Sequence, residues 1–316
     1  MTIGQPMNCS LIIRAFNEER SIGRLLEGVR RQTLREVEII LVDSGSTDAT
    51  SAIAIQYGAR VVHIPPAEFT FGRSLNLGLA AASADLAVIA SAHVYPVYPD
   101  WLECLLAPFA DSHVALTYGK QRGDAHSKFS EQQVFARWFP EESVPRQAGP
   151  FCNNANAAIR RSAWKAHPYD ETLTGLEDLA WARWAVEQGH AIAYVSEAEV
   201  IHVHHETPGG VLNRYRREGM AFKKIYPEAH FSLYDFGRNV LSSIGFDLLH
   251  AARENQLARS LADIFWFRTA QIWGTYQGYR HSSLLTPDLR QTFYYHVGWQ
   301  KDEPAKRDVE PIRYNE

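Results

Sequence analysis

Residues 9–50 read CSLIIRAFNEERSIGRLLEGVRRQTLREVEIILVDSGSTDAT, a stretch with two buried-strand patterns, each ending in a polar turn that leads into a helix. The first apolar run, Leu11 to Ile13, breaks at Arg14-Ala15-Phe16-Asn17-Glu18. Ile22, Leu25, Leu26 and Val29 then recur at the i, i+3, i+4, i+7 spacing of one helix face. The second run, Glu38 to Val42, does not alternate, as befits a strand covered on both faces, and it stops at Asp43-Ser44-Gly45-Ser46-Thr47-Asp48. Asp48 is predicted to cap the next helix and Gly58 to end it.

Two consecutive strand-loop-helix units imply an α/β fold with a mostly parallel sheet, flanked by helices and joined by right-handed crossovers. In such sheets ligands bind beyond the carboxyl ends of the strands. Both polar loops should therefore meet at one crevice. An acidic residue closing a buried strand is either a solvated turn residue or a hydrogen-bond acceptor for a ligand. The functional reading has Asp43 accepting from a nucleobase N–H, with Asn17 and Glu18 near the same nucleoside.

The residues NEE, then QT, then EIILVDSGSTDAT resemble the nucleotide-binding half of the family-2 glycosyltransferases, which have the GT-A (Rossmann-like) fold. The resemblance implies an inverting transfer of a hexosyl or deoxyhexosyl group from a nucleoside-diphosphate sugar to a hydroxyl of a glycan or lipid-linked acceptor. It places Arg14, Asn17, Glu18, Asp43, Ser44 and Gly45 at the nucleotide, together with Arg73 and Asn76 of the FG-R-x-x-N segment. An arginine in a first helical turn opposes the helix dipole, so Arg73 suits a nearby diphosphate or is a solvated side chain.

Composition fits that class. A chain of 316 residues can bury a sizeable core, and a net charge of -4 gives no reason to expect nucleic-acid binding. Cys9, Cys104 and Cys152 are widely spaced and are read as reduced, in a cytoplasmic protein at or near the inner membrane face. No window approaches the roughly 20 apolar residues of a membrane span, and the start lacks a signal-peptide pattern. The expected organisation is a catalytic domain over 1–206, a helical C-terminal extension over 207–300 and a loosely ordered tail over 301–316.

After the predicted strand Leu86 to Ala90 the family normally carries Asp-x-Asp, and here the residues are Ser91-Ala92-His93. A neutral imidazole suits manganese or zinc better than magnesium, so His93 implies a divalent metal with manganese preferred, or else a metal-independent enzyme. The run Ile201-His202-Val203-His204-His205-Glu206 adds imidazoles, with His202 and His204 on one face of an extended chain. His93 with His202 and His204 is therefore the candidate metal set.

Residues Gly119 to Pro150 show poor periodicity and are predicted to form a long substrate loop. In the predicted strand Phe151 to Ile159, Asn154 and Asn156 are candidates for acceptor hydroxyls, as is Trp181 beyond it. Strands are also predicted at Ala191 to Val195 and Val200 to Val203. Glu177 and Asp178 open a helix; acidic first turns stabilise helices, but the resemblance sets this pair against the acceptor, with Asp178 as general base and Glu177 assisting. Arg214 and Arg217 in a basic helix are candidates for the diphosphate. The aromatic-rich helices after Phe231 could pack on the core, form a homodimer contact or lie on a membrane. The alternative to an enzyme is a non-catalytic nucleotide-sugar or glycan-binding module that has lost its Asp-x-Asp.

Overall fold

The computed structural model describes residues 8–204, 206–280, 307 and 309–314. Its sheet begins with β1 (Cys9–Ala15) and β2 (Val37–Asp43), paired in parallel with Ile12 opposite Ile40. Successive side chains point to opposite faces. Leu11, Ile13 and Leu41 enter one core with Val88 and Ala90, while Ile12, Ile40 and Val42 enter a second core with Ala87 and Ile89. Burial on both faces is why neither run alternates.

The first core is covered by α1 (Ile22–Arg30) and α4 (Trp101–Leu106), the second by α3 (Phe71–Ala81) and α7 (Glu177–Glu187). Ile22, Leu25 and Leu26 of α1 have no exposed surface, a burial of about 2 kcal/mol for each side chain. α2 (Thr50–Gln56) ends at Gly58, which has φ +80°. Asp48 stands one residue before the observed cap position, Ala49, and accepts from the Thr50 N–H and hydroxyl.

The remaining strands are β3 (Arg60–His63), β4 (Leu86–Ser91), β5 (Val94–Pro96), β6 (Val114–Arg122), β7 (Asn156–Arg160) and β8 (Ala191–His202). The described residues form one eight-stranded sheet ordered β3-β2-β1-β4-β7-β6-β8-β5. β7 runs antiparallel to β4 and β6, and β5 antiparallel to β8, so the sheet is mixed beyond its parallel half. The two strands predicted between 191 and 203 are the single strand β8, whose register with β6 shifts between Gly119 and Gln121.

The predicted loop over 119–150 holds the end of β6 and an unforeseen helix, α5 (Phe129–Trp138). Its buried face includes Ser130 and Glu131, whose partners Asp247 and His204 come from distant sequence, so local apolar periodicity is weak. The predicted strand from Phe151 starts only at Asn156. α6 (Arg161–Ala166) follows it.

The C-terminal part comprises α8 (Pro208–Ile225), α9 (Leu233–Arg253) and α10 (Leu257–Tyr279); the rest of the expected extension, 281–300, lies outside the described residues. α8 and α10 approach closely because of their glycines. A Cβ on Gly274 would lie 2.4 Å from the Leu212 carbonyl oxygen, and one on Gly278 would lie 2.5 Å from that of Arg216. Arg268 of α10 forms a buried two-pronged ion pair with Asp247 of α9, at 2.6 and 2.9 Å. Leu241, Leu249 and Phe265 of these helices remain exposed. No described helix is long and apolar enough to cross a membrane.

The described tail residues, 307 and 309–314, make long-range contacts. The Ile312 N–H donates to the Val97 carbonyl at 2.8 Å, Tyr314 caps Pro96, and Arg307 pairs with Asp100 at 2.6 Å. The charge and proline content behind the prediction does not report such long-range partners. Gly278→Val should destabilise the chain by about 2 kcal/mol through overpacking of α8 against α10. Urea unfolding monitored by tryptophan fluorescence checks this, and an unchanged midpoint would contradict the close approach.

Candidate active site

The loops after β1 and β2 are tied to each other. The Asn17 amide oxygen accepts from the Thr47 N–H at 2.8 Å, and the Glu18 N–H donates to the Thr50 hydroxyl at 2.7 Å. Asn17 has φ +55°, a left-handed conformation that asparagine tolerates better than most residues. Asp43 is buried at the end of β2, accepting from the Ser46 N–H at 3.1 Å and lying 3.3 Å from His63 Nδ1. Ser44 is buried beside it, and Gly45 has φ +91° with its Cα face against Pro66, where no Cβ fits.

A cavity of about 480 Å³ opens next to these loops, lined by Arg14, His93, Asn154, Glu177, Asp178, His202, His204, Arg214 and Arg217 among others. Nine of the predicted site residues thus share one space.

The three histidines present ligand nitrogens that all lie within 4.8 Å of one another. Each Nδ1 sits 2.7 Å from an oxygen of a different element: His93 on Glu18 after β1, His202 on Gln121 of β6, and His204 on Glu131 of α5. Those oxygens accept, so each Nδ1 carries the hydrogen and Nε2 is the nitrogen with a lone pair. His93 Nε2 also lies 3.2 Å from the Ser91 hydroxyl. His202 Nε2 is buried without a hydrogen-bond partner. Burial, followed by the neighbouring His204 and His93, holds the His202 pKa well below its ordinary value, so this ring is neutral. Imidazoles anchored through Nδ1, with the His202 ring neutral and its Nε2 orphaned, fit a divalent metal. His205, the remaining imidazole of that run, lies outside the described residues.

Asp178 is half-buried in the first turn of α7. Its carboxylate accepts from the Asn154 N–H at 3.1 Å and the Leu179 N–H at 2.8 Å. Burial first and the Glu177 charge second push its pKa up to about 7, against the opposing pull of those two N–H groups and Arg14. Glu177 is buried and pairs with Arg14 at 3.3 Å. The residue before them, Leu176, has φ +54°, a strained conformation that costs a non-glycine residue on the order of 1 kcal/mol. It turns the start of α7 into the cavity.

The arginines divide. Arg214 pairs with Glu206 at 2.8 Å and with Glu131 at 3.5 Å. Arg217 is exposed, and its guanidinium lies 5.3 Å from the Phe71 ring centre, as does that of Arg14.

Four predicted residues are occupied elsewhere. Asn156 is wholly buried: its amide oxygen accepts from Trp101 Nε1 at 2.9 Å, and its amide nitrogen donates to the Lys120 and Ala198 carbonyls. Trp181 is in the second core with its Nε1 on the His167 carbonyl at 2.7 Å. Asn76 makes four hydrogen bonds, to Trp164, Glu171 and twice to Tyr169. Arg73 pairs with Glu68 at 2.7 Å and Glu171 at 3.5 Å, so its opposing charge is already present. These residues face internal partners and do not line the cavity. By contrast, Asn154 is among the residues lining the cavity, and its buried Nδ2 has no hydrogen-bond partner. Gln121 and Glu131, which hold two of the histidines, were hidden in the stretch predicted as a loop; no local signal distinguishes them.

Residues 10–167 match the family described as glycosyl transferase family 2, and the chain belongs to that family. It is 31% identical over 204 residues to the O-antigen chain rhamnosyltransferase WbaN of Salmonella anatum, covering 60% of this chain and 64% of that protein, just under two thirds of the relative's length. With the O-antigen chain rhamnosyltransferase RfbN of Salmonella typhimurium it shares 27% identity over 228 residues, covering 68% of this chain and 72% of that one. Among solved structures, the mannosyltransferase PcManGT of Pyrobaculum calidifontis, in complex with GDP-Man and Mn2+, superposes with a TM-score of 0.59 at 17% identity, covering 90% of this chain and 87% of that chain. TarS of S. aureus in complex with UDP-GlcNAc gives 0.56 at 16% identity, covering 97% and 99%. These likenesses establish the GT-A fold.

Asn156→Ala should cost about 3 kcal/mol, because it leaves the buried Trp101 N–H and two carbonyls unpaired. Chemical denaturation reads this directly. An unchanged midpoint would remove Asn156 from the core.

Proposed function

We propose that the chain is an inverting glycosyltransferase that moves a hexosyl or deoxyhexosyl group, the latter suggested by the two rhamnosyltransferase relatives, from a nucleoside-diphosphate sugar to a hydroxyl of a surface glycan or lipid-linked acceptor. The observation that carries this reading is Asp178: a carboxylate facing a large cavity, held by two N–H groups and tuned close to neutral pH. A base with a pKa near the working pH combines the ionised form with useful proton affinity.

In the proposed step, the acceptor oxygen attacks the anomeric carbon in line, forming the new C–O bond as the bond to the diphosphate oxygen breaks. The hydroxyl proton passes to Asp178 and the electron pair leaves with the diphosphate. Glu177, paired with Arg14, helps to orient the acceptor loop. Asp43, Ser44 and Gly45, with Asn17 and Glu18, take the nucleoside beyond the strand ends. Arg14 and Arg217, on either approach to Phe71, and Arg214 offset the diphosphate charge. His93, His202 and His204 would hold a divalent metal, manganese in preference to magnesium, that supplies further charge stabilisation to the leaving group when bound. The neighbour PcManGT, solved with GDP-Man and Mn2+, supports both donor and metal classes.

The missing Asp-x-Asp favours the rival reading of a non-catalytic binding module. The anchored imidazoles and the tuned Asp178 support the enzyme instead. The exposed Leu241, Leu249 and Phe265 support a membrane or homodimer contact for the C-terminal helices.

Asp178→Asn should lower kcat/KM by about 10²–10⁴-fold in a nucleotide-sugar transfer assay. Wild-type kcat/KM should rise with pH through about 7 as Asp178 loses its proton. Stability moves the other way. A folded-state pKa above the unfolded value contributes stability below pH ~4 that is lost as pH rises through the folded value. At pH 8 Asp178→Asn should therefore be more stable than wild type, by on the order of 2 kcal/mol. An inactive variant that is also less stable at pH 8 would point to a structural role and against the base assignment.

A further inference from the structure

β5 follows His93 directly and is an edge strand of the sheet, three residues long, with β8 as its neighbour. Its register sets two of the three imidazoles against each other. Val94 lies opposite His202, the Val203 N–H donates to the His93 carbonyl at 3.3 Å, and the His93 and His202 rings stack with centres 5.1 Å apart. A ribbon of two short strands is marginal by itself, and edges open before the rest of a sheet. If β5 parts from β8, His93 parts from His202.

The end of this ribbon remote from the histidines is gripped on both strands by the tail. On β5, the Tyr314 hydroxyl donates to the Pro96 carbonyl at 2.5 Å, and the Tyr314 ring meets Tyr95 edge-on with centres 5.1 Å apart. The Ile312 N–H takes the next carbonyl, that of Val97. On β8, Arg307 donates to the Glu197 carbonyl at 2.6 Å, while the same guanidinium pairs with Asp100 and lies 4.3 Å over the Tyr98 ring. Tyr314 fits because α1 is cut away beneath it: a Cβ on Gly28 would lie 2.5 Å from its hydroxyl and 2.6 Å from the Pro96 ring. Arg31, one turn further along, donates to the Arg313 carbonyl at 2.5 Å.

Arg307, Ile312 and Tyr314 are not among the residues that line the cavity, so they act on it only through what they hold. A ligand set drawn from separate elements depends on outer contacts that fix each ring before an ion arrives. Glu18, Gln121 and Glu131 fix the rings; the backbone that carries two of them is the β5–β8 ribbon. We propose that residues 307 and 309–314 clamp this ribbon, and that Arg307 and Tyr314 are positioning residues for the metal set, acting through Glu197 and Pro96 on His202 and His93. This rests on the metal reading above. It makes the imidazole site depend on a segment far outside residues 10–167, the stretch matched to the family.

Two measurements on the full chain test the clamp, comparing wild type with the double variant Arg307→Ala/Tyr314→Ala. Hydrogen exchange followed by NMR without metal reads the ribbon itself: the Tyr95 and Val203 amides should exchange about tenfold or more faster in the variant, with those of Ile12 and Ile40 unchanged. Titration with cobalt(II) alone, followed by its visible absorption, reads the metal set: affinity should fall about tenfold or more. If the double variant does not fold, Tyr314→Phe, which removes one hydroxyl and keeps the ring, is read in its place, with changes of about threefold expected. Unchanged exchange at Tyr95 and Val203 would overturn the clamp, and faster exchange throughout the sheet would make the tail a general stabiliser and overturn the positioning role. A loosened ribbon with undiminished cobalt affinity would overturn the link to the histidines. His202→Ala separates the two readings: a wild type with no cobalt band that this substitution removes would overturn the metal reading, and the positioning role with it, whatever the exchange shows of the clamp.

Discussion

Three imidazoles are each held through Nδ1, at 2.7 Å, by oxygens that belong to three different parts of the fold. Glu18 follows the first strand, Gln121 lies on β6 and Glu131 lies on α5, while the histidines themselves come from the β4–β5 connection, the end of β8 and the residue pair beyond it. Parallel half, antiparallel half and inserted helix therefore converge on one point. A hydrogen-bonded acceptor behind each ring fixes both tautomer and orientation, which a ligand set needs before any ion arrives. The same contacts carry mechanical consequences: Glu131 also reaches Arg214, so α5 and α8 are aligned by the group that orients His204.

The site is held at a cost that the rest of the chain offsets. Leu176 is strained, Asp178 carries a charge that burial disfavours, and polar atoms such as Asn154 Nδ2 and His202 Nε2 are left without partners. Each such feature disfavours the native state by on the order of 1–3 kcal/mol. Against them stand a sheet buried on both faces, the glycine-mediated contact of α8 with α10, and the bidentate Arg268–Asp247 pair. Strain and most of the unsatisfied polar atoms lie at the cavity, as expected where binding groups must be presented unspent.

How much was legible in the sequence depended on whether a residue's partner was local. The non-alternating run at Glu38 to Val42 and the spaced apolar residues of α1 report burial by neighbours in the sheet, and both elements form as their patterns imply. Glu177 and Asp178 were marked out by the family resemblance, since two acids opening a helix are otherwise read as helix-stabilising, and the left-handed Leu176 before them has no signature in its side chain. Helix α5 was invisible because its buried face is partly polar, satisfied by residues 73 and 117 positions away. The amides have distant partners for the same reason: Asn156, a candidate for acceptor hydroxyls, and Asn76, placed at the nucleotide by the resemblance, are hydrogen-bonded to tryptophans, to backbone and, for Asn76, to Glu171. Arg307 and Tyr314 of the tail, too, have partners more than 200 residues away.

In the proposed enzyme, imidazoles do the work that the family ordinarily gives to a second aspartate. Nucleotide binding linked to metal tests it most directly, since a ligand that binds the native state raises the melting temperature by mass action. Uridine, guanosine and deoxythymidine diphosphates are to be screened on wild type and on His202→Ala, in manganese, in magnesium and in chelator. One nucleotide should stabilise wild type more in manganese than in magnesium or chelator, and His202→Ala should abolish that increment while leaving the chelator value in place. Equal stabilisation in chelator and manganese would contradict the metal site and leave Arg14, Arg214 and Arg217 to carry the leaving-group charge.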